Sequence, residues 1–345
     1  TDRPPDVIPS VPFARRSNTL TSSLGLGEKL FASSDERRFV EAIEEGLEQV
    51  EAGLLAAMSF ADEIADVTSR YLLEAGGKRV RPVLTLLTAQ LGEGNNPEVI
   101  KAAQAIEITH VASLYHDDVM DDAPSRRGVP SAHNVWGNSV AVLTGDLLFA
   151  RASRIGAALG EQILVLQAET FERLCLGQLH ETIGPGAADD PIEHYIQVLA
   201  DKTGSLISAA AQVGVIFSNA PQEYRQSVAD FGERIGVAFQ LIDDVIDLAG
   251  EQDDTGKTPG TDLRAGVATL PLLYLRRLAR TDHDADDLLH RLERDTTAAF
   301  YGDADEADLT AAISELRGHP VTQQTLDEAR RWSREAVEAL APLPE

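Results

Sequence analysis

From about Asp35 onward, apolar side chains recur at helical spacing. Phe39, Ile43, Leu47, Val50 and Leu54 fall three or four residues apart, with Leu55 next to the last, which predicts an amphipathic helix. The segment from Phe60 to Leu73 repeats the pattern until Gly76-Gly77 stops it. The same spacing predicts helices over 80–91, 98–120, 138–159, 161–182, 191–217, 222–249 and 267–281, with several more after 283. Between them lie turn-forming runs: Gly92 to Pro97, Gly184-Pro185-Gly186, and Gly250 to Gly260. No run of alternating strands appears. The best strand candidate, Val140 to Leu143, is short and sits inside a helical pattern. Around ten helices with short connections predict one large all-α bundle over 34–345, with the charged stretch 283–308 as a surface hairpin of helices. Residues 1–33, rich in Pro, Ser, Thr and Arg, read as a mobile arm with a short helix at its end.

Composition narrows what such a bundle does. Apolar residues make up 43% of the 345, enough for a sizeable core. The formal charge of −26 argues against nucleic acid and against anionic membrane surfaces, both of which call for basic patches. One cysteine, Cys175, builds neither an intrachain disulfide nor a thiolate metal site. No apolar run approaches the ~20 residues of a membrane span. The first 30 residues lack the continuous apolar core of a signal peptide. A cytoplasmic location is the expectation that follows.

Two aspartate clusters stand out, Asp117-Asp118-x-x-Asp121 and Asp243-Asp244-x-x-Asp247. On a helix the first and last members share a face, and the second stands about 100° round. Like charges at that spacing weaken a helix by a few tenths of a kcal/mol per pair. Both clusters also close their helices, before Pro124 and Gly250, where the macrodipole disfavours negative charge. The flanks, Ala112 to Tyr115 and Phe239 to Ile242, are apolar. Carboxylates turned into a bundle are costly without a cation, and Mg²⁺ is characteristically shared between carboxylates, water and phosphates. The pair therefore predicts a metal-bridged diphosphate, whereas a single such motif in so acidic a chain would be an ordinary solvated helix end.

Basic residues occur where such a ligand could use them. Of five lysines, Lys78, Lys202 and Lys257 fall at glycine-marked turns or polar breaks. Gly76-Gly77-Lys78-Arg79-Val80-Arg81-Pro82 is a flexible turn with three cations, feeding a helix start that favours anions. Lys202-Thr203-Gly204-Ser205 places a cation and two hydroxyls inside an apolar helix. Arg126-Arg127 follows the first cluster, and guanidinium groups suit bidentate phosphate binding. His110 lies seven residues before Asp117 on the same helix face, whereas His116 points elsewhere and reads as structural. Taken singly, each of these groups is an ordinary surface cation or core histidine; the set carries the information.

These residues resemble the trans-type isoprenyl (polyprenyl) diphosphate synthases. The likeness runs from about Gly76 to Pro271 through GGKRVRP at 76–82, EITHVASLYHDDVMDDAPSRRG at 107–128, GNSVAVLTGDLLFARA at 137–152, KTGSLI at 202–207, FQLIDDVIDLAG at 239–250 and GKTPGTDLR at 256–264. The resemblance implies an all-α isoprenoid-synthase-type homodimer of about ten or more helices around a deep central cavity. It implies Mg²⁺ as cofactor, three ions with diphosphate bound. Asp117, Asp121 and Asp243 would be the main ligands, with Asp118, Asp244 and Asp247 nearby. Arg126, Lys202 and Lys257 would hold an allylic diphosphate; Lys78, Arg81, His110 and Arg127 would hold isopentenyl diphosphate. Thr203 and Gln240 would steady an allylic cation. Residues four and five before Asp117, Ser113 and Ala112, are small, and in this family small residues there leave the product channel open. A product of C35–C50, a quinone side-chain precursor, is the expectation. One position departs: where the family often has lysine, this chain has Val267, which bears on one diphosphate contact and not on the metal sites.

Other readings remain. A farnesyl or geranylgeranyl synthase shares every motif and differs in the cavity. A non-catalytic subunit of a heteromeric synthase tends to lose aspartates that this chain keeps. A class I terpene cyclase needs no second diphosphate site, and the spacing is not that of an EF-hand loop.

Overall fold

Helix α1 (Ser34–Ala57) buries Ile43, Leu47, Val50 and Leu54, spaced four, three and four residues apart, and turns Glu44, Glu45 and Glu48 outward. The computed structural model describes residues 34–249, 259–300 and 306–344; the arm expected over 1–33 and the candidate residue Lys257 lie outside them. Asp62 caps α2 (Glu63–Glu74) by accepting the Ala65 N–H at 2.9 Å. Helix α3 (Val80–Ala89) follows the double-glycine turn. Asn96 caps α4 (Pro97–Met120), accepting from the Glu98 and Val99 N–H groups at 2.9 Å each, with Pro97 at the first position. Helix α4 is buried on nearly every side, from Val99 through Ala105, Ile108 and Ala112 to Tyr115.

The chain then makes a minimal antiparallel hairpin, β1 (Ser125–Arg126) against β2 (Val129–Pro130), which the spacing of apolar residues did not announce. Arg127 and Gly128 both have left-handed backbones (φ 53° and 78°), as a tight two-residue turn requires. Helices α5 (Ala132–Trp136), α6 (Asn138–Leu159) and α7 (Glu161–Ile183) follow. Next come α8 (Pro191–Leu199), a π-helical turn (Ala200–Gly204), α9 (Ser205–Phe217) and α10 (Tyr224–Ala249). The chain ends in α11 (Thr261–Arg264), α12 (Leu270–Leu278), α13 (His283–Phe300), α14 (Glu306–Gly318) and α15 (Pro320–Ala339). The protein is all-α, and Val140 to Leu143 is helical. Among the described residues no helix is long and apolar enough to cross a membrane.

Two compact units divide the chain. Among the described residues, one draws on 34–171, 209–229 and 343–344, the other on 172–208, 230–249, 259–300 and 306–342. In the first, α4 is the central element, packed by α1, α3 and α6. Gly145 lets α6 approach α4 closely: a Cβ there would lie 2.3 Å from His116 Nε2 and 3.2 Å from the Ala112 carbonyl oxygen. In the second, α12 packs against α8, α13 and α15 over a core that includes Leu241, Leu275, Leu288, Leu309 and Ile313.

Candidate active site

Helix α4 carries the first set of candidate residues. Asp117 is half-buried and Asp121, at the helix end, is exposed; the Asp121 N–H still reaches the Asp117 carbonyl at 2.8 Å, so the helix runs through the cluster. Asp118 turns inward. Its side chain is almost fully buried; Oδ1 accepts from Arg126 Nε at 2.7 Å, with Arg126 Nη2 also 2.7 Å away in the same ion pair. Burial raises the Asp118 carboxyl above the usual carboxylate range, and Arg126 pulls it partly back. Two of the residues expected at the diphosphate are thus bonded to each other.

Seven residues earlier on α4, His110 faces a guanidinium cluster. Desolvation first, then the charges of Arg81, Arg127, Arg79 and Arg126, hold its imidazole well below the ordinary histidine value, so it is neutral near pH 7. Burial likewise lowers Arg81, and lowers Arg127 to about 10. Tyr71 positions the hairpin that delivers Arg127: its hydroxyl donates to the Pro130 carbonyl at 2.8 Å and its ring meets Trp136 edge-on at 4.9 Å. Arg127 Nη1 then donates to the Leu72 carbonyl at 2.5 Å. The double glycine has a steric reason. A Cβ on Gly77 (φ 144°) would lie 2.5 Å from Arg79 Nη1 and 2.9 Å from Arg127 Cζ. Lys78 is exposed beside this cluster in sequence, and Arg81 is half-buried.

Below Asp117 on α4, Ala112 is fully buried while Ser113 is half-buried, its Oγ donating to the His110 carbonyl at 2.9 Å. His116, read from the sequence as structural, lies 3.0 Å from the Val142 carbonyl oxygen and meets Phe149 at a tilt of 56° with ring centres 5.5 Å apart.

The second unit holds the other set. On α10, Asp243 is exposed and Gln240 half-buried. Asp244 is buried: the Tyr195 hydroxyl donates to both its oxygens, at 3.0 and 2.8 Å, and the Leu270 N–H donates at 3.3 Å. Burial lifts the Asp244 carboxyl to about 7 against the pull of those two hydrogen bonds. Asp247 is half-buried and accepts from the Thr261 and Asp262 N–H groups, both at 3.1 Å, which fixes the start of α11. In each cluster, then, the middle aspartate is tied into the protein.

Lys202 and Thr203 sit in the π turn between α8 and α9, a device the apolar spacing hides. The Ser205 N–H reaches back five residues to the Ala200 carbonyl. Asp201 pins the turn from inside, accepting from Arg173 Nε at 2.7 Å and Gln197 Nε2 at 3.0 Å; Arg173 also donates to Glu233 at 2.5 Å. Gly177 lets α7 come close, since a Cβ there would lie 3.0 Å from Asp201 Cβ and Lys202 Cγ. Lys202 pairs with Glu181. A cavity of about 480 Å³ in the same unit is lined by Glu181, Tyr195, Val198, Val267, Leu273 and Arg277, among others. Val267, the position that departs from the family pattern, is therefore at its wall.

Among the described residues no three His, Cys, Asp or Glu side chains converge on a metal position by themselves. In one unit Asp117 and Asp121, and in the other Asp243, present accessible carboxylates, hard oxygen donors of the kind a divalent cation takes together with water or ligand oxygens.

Known proteins match this arrangement. A family model described as polyprenyl synthetase matches residues 62–302. The nonaprenyl diphosphate synthase of Mycobacterium tuberculosis is 40% identical over 333 residues, covering 96% of this chain and 94% of its own. A crystal structure of polyprenyl synthase from Caulobacter crescentus, complexed with calcium and isoprenyl diphosphate, superposes with a TM-score of 0.78 at 31% identity, covering 89% of this chain and 92% of the other. A geranylgeranyl pyrophosphate synthase from Corynebacterium glutamicum, also with calcium and isoprenyl diphosphate, gives 0.73 at 38% identity, covering 88% and 90%.

Proposed function

The chain belongs to the polyprenyl synthetase family and is a prenyltransferase, and from that premise we propose that it is a Mg²⁺-dependent, all-trans long-chain polyprenyl diphosphate synthase that condenses isopentenyl diphosphate repeatedly onto an allylic diphosphate. The observation that carries the reading is on one helix. His110, among Arg81 and Arg127, and Asp117 are seven residues apart on α4, about 10 Å along its axis at ~1.5 Å per residue. That separation suits two diphosphates, one on the guanidiniums and one at the carboxylates, and two diphosphates mean joining rather than hydrolysis or cyclisation.

Asp117, Asp121 and Asp243 are the residues that would hold divalent metal; when bound it would neutralise charge on the departing diphosphate. Asp118 orients Arg126. Arg126 and Lys202 bind the allylic diphosphate, and Lys257, in sequence, joins them. The allylic C–O bond breaks with the electron pair leaving on diphosphate. The isopentenyl double bond then forms the new C–C bond, and the released diphosphate takes up the proton whose loss regenerates an alkene. Thr203 and Gln240 present oxygen dipoles to the allylic carbon. Lys78, Arg81, Arg127 and neutral His110 orient isopentenyl diphosphate.

A long product, C35–C50, is supported by the small side chains of Ala112 and Ser113 and by the nonaprenyl relative. The geranylgeranyl relative shares the same frame, so the length of the product is decided at the channel. A homodimer is supported by exposed apolar side chains on α6 (Val142, Leu143, Leu147) and on α7 (Leu164, Val165, Leu179). Asp117→Ala and Asp243→Ala test the chemistry. Each should lower kcat by at least 100-fold, as expected for loss of electrostatic stabilisation in the transition state; near-normal turnover in either would refute the assignment.

A further inference from the structure

Glu107 lies on α4 one turn before His110, and it is 1% exposed. No role in catalysis follows from the diphosphate reading alone. Its surroundings are unlike those of an ordinary buried ion pair. Burial pushes the Glu107 carboxyl above the usual carboxylate range, and the charges of Arg79, Arg81 and Arg127 pull it back toward the ionised form. Among the described residues, one direct hydrogen bond reaches the carboxylate, from Arg79 Nη1 to Oε1 at 3.4 Å, while Oε2 is enclosed without a partner. Arg81 Nε is likewise enclosed without a partner. Buried polar atoms are normally satisfied, and atoms left unsatisfied mark a place where binding completes the network.

The three guanidiniums are used differently. Arg79, with its left-handed backbone (φ 52°), is fully committed: it bonds Glu51, Glu107, the Gly76 carbonyl at 3.2 Å and the Leu73 carbonyl at 3.3 Å. It is a strut that fixes the Gly76–Arg81 turn. Arg81 retains an unbonded nitrogen, and Arg127 is held at Nη1 by the Leu72 carbonyl. A cluster of three cations around one buried carboxylate stays assembled only while that carboxylate is ionised.

We propose that Glu107 is a positioning residue for the isopentenyl diphosphate subsite: it fixes the turn through Arg79 and keeps Arg81 and Arg127 gathered, charged and turned to the substrate without touching it. This rests on the reading of Lys78, Arg81, His110 and Arg127 as that subsite. It also explains why the turn holds three cations when the third, Arg79, has no donors to spare.

The test compares Glu107→Gln, Glu107→Asp and Arg81→Ala in the full chain with Mg²⁺. KM and kcat are measured for isopentenyl diphosphate at saturating farnesyl diphosphate and the reverse, and folding is followed by circular dichroism melts. We expect Glu107→Gln to raise KM for isopentenyl diphosphate at least tenfold and to leave KM for farnesyl diphosphate within twofold, with Glu107→Asp recovering part of the loss. An unchanged isopentenyl KM in folded Glu107→Gln, alongside a raised one in Arg81→Ala, overturns the proposal and leaves the subsite standing. Parallel rises in both KM values also overturn it, because they report a general structural role. An unchanged isopentenyl KM in Arg81→Ala removes the subsite reading and the proposal with it. If Glu107→Gln does not fold, Glu107→Asp decides: a rise confined to isopentenyl diphosphate supports the proposal, and no rise or a shared one defeats it.

Discussion

Asp118 and Asp244 occupy the same place in their two motifs and have the same fate: each is buried and tied to a neighbour, Arg126 in one case and Tyr195 with the Leu270 N–H in the other. Helical register placed both about 100° round from the first aspartate of each motif, but the groups that bind them come from a hairpin, from α8 and from the start of α12, which no local pattern reveals. His110 shows the converse. Its register with Asp117 was legible, while its neutrality depends on four arginines brought in from two other segments. That neutrality has a stability consequence with a definite sign. The folded pKa lies well below the ordinary 6.5. Below about pH 6.5 the unfolded chain therefore binds a proton that the native chain refuses. Stability is lost as pH falls, by up to about 1.4 kcal/mol per unit from this group. His110→Gln should therefore show a smaller drop in melting temperature between pH 7.5 and 5.5 than the parent; equal drops would exclude the effect.

At the scale of elements, long helices were legible because apolar residues recur at helical spacing over several turns. The spacing over 138–159 predicted α6 as it is found, and 98–120 differs from α4 by one residue. The stretch 191–217 reads as one helix, yet it contains the π turn at Ala200–Gly204. A single widened turn does not disturb apolar spacing enough to show, and only the polar pair Lys202-Thr203 hinted at it. The hairpin at 125–130 and the short α5 and α11 are too brief for any periodicity. The π turn depends on close passage of α7 at Gly177. Gly177→Leu should push Lys202 and Asp201 out of place. The expected cost is about 1–3 kcal/mol from overpacking, with a fall in kcat greater than that of a surface control such as Glu172→Ala. A stable variant with parent kcat would show that the turn needs no such fit.

For the molecule as a whole, the charge of −26 opposes non-specific association, and the apolar side chains exposed on α6 and α7 are the surface on which the homodimer is proposed. Light scattering should give a mass near twice 37.2 kDa, and Leu143→Asp should move it toward one copy; a parent protein of single-copy mass would remove the homodimer. Assembly does not decide the central claim, which is that this frame joins many five-carbon units. The direct measurement is to incubate the purified protein with Mg²⁺, farnesyl diphosphate and radiolabelled isopentenyl diphosphate, and to size the dephosphorylated products. The expected result is linear products in the C35–C50 range that vanish when Mg²⁺ is chelated. Products stopping at C15–C20, cyclic hydrocarbons, or no product at all would contradict it.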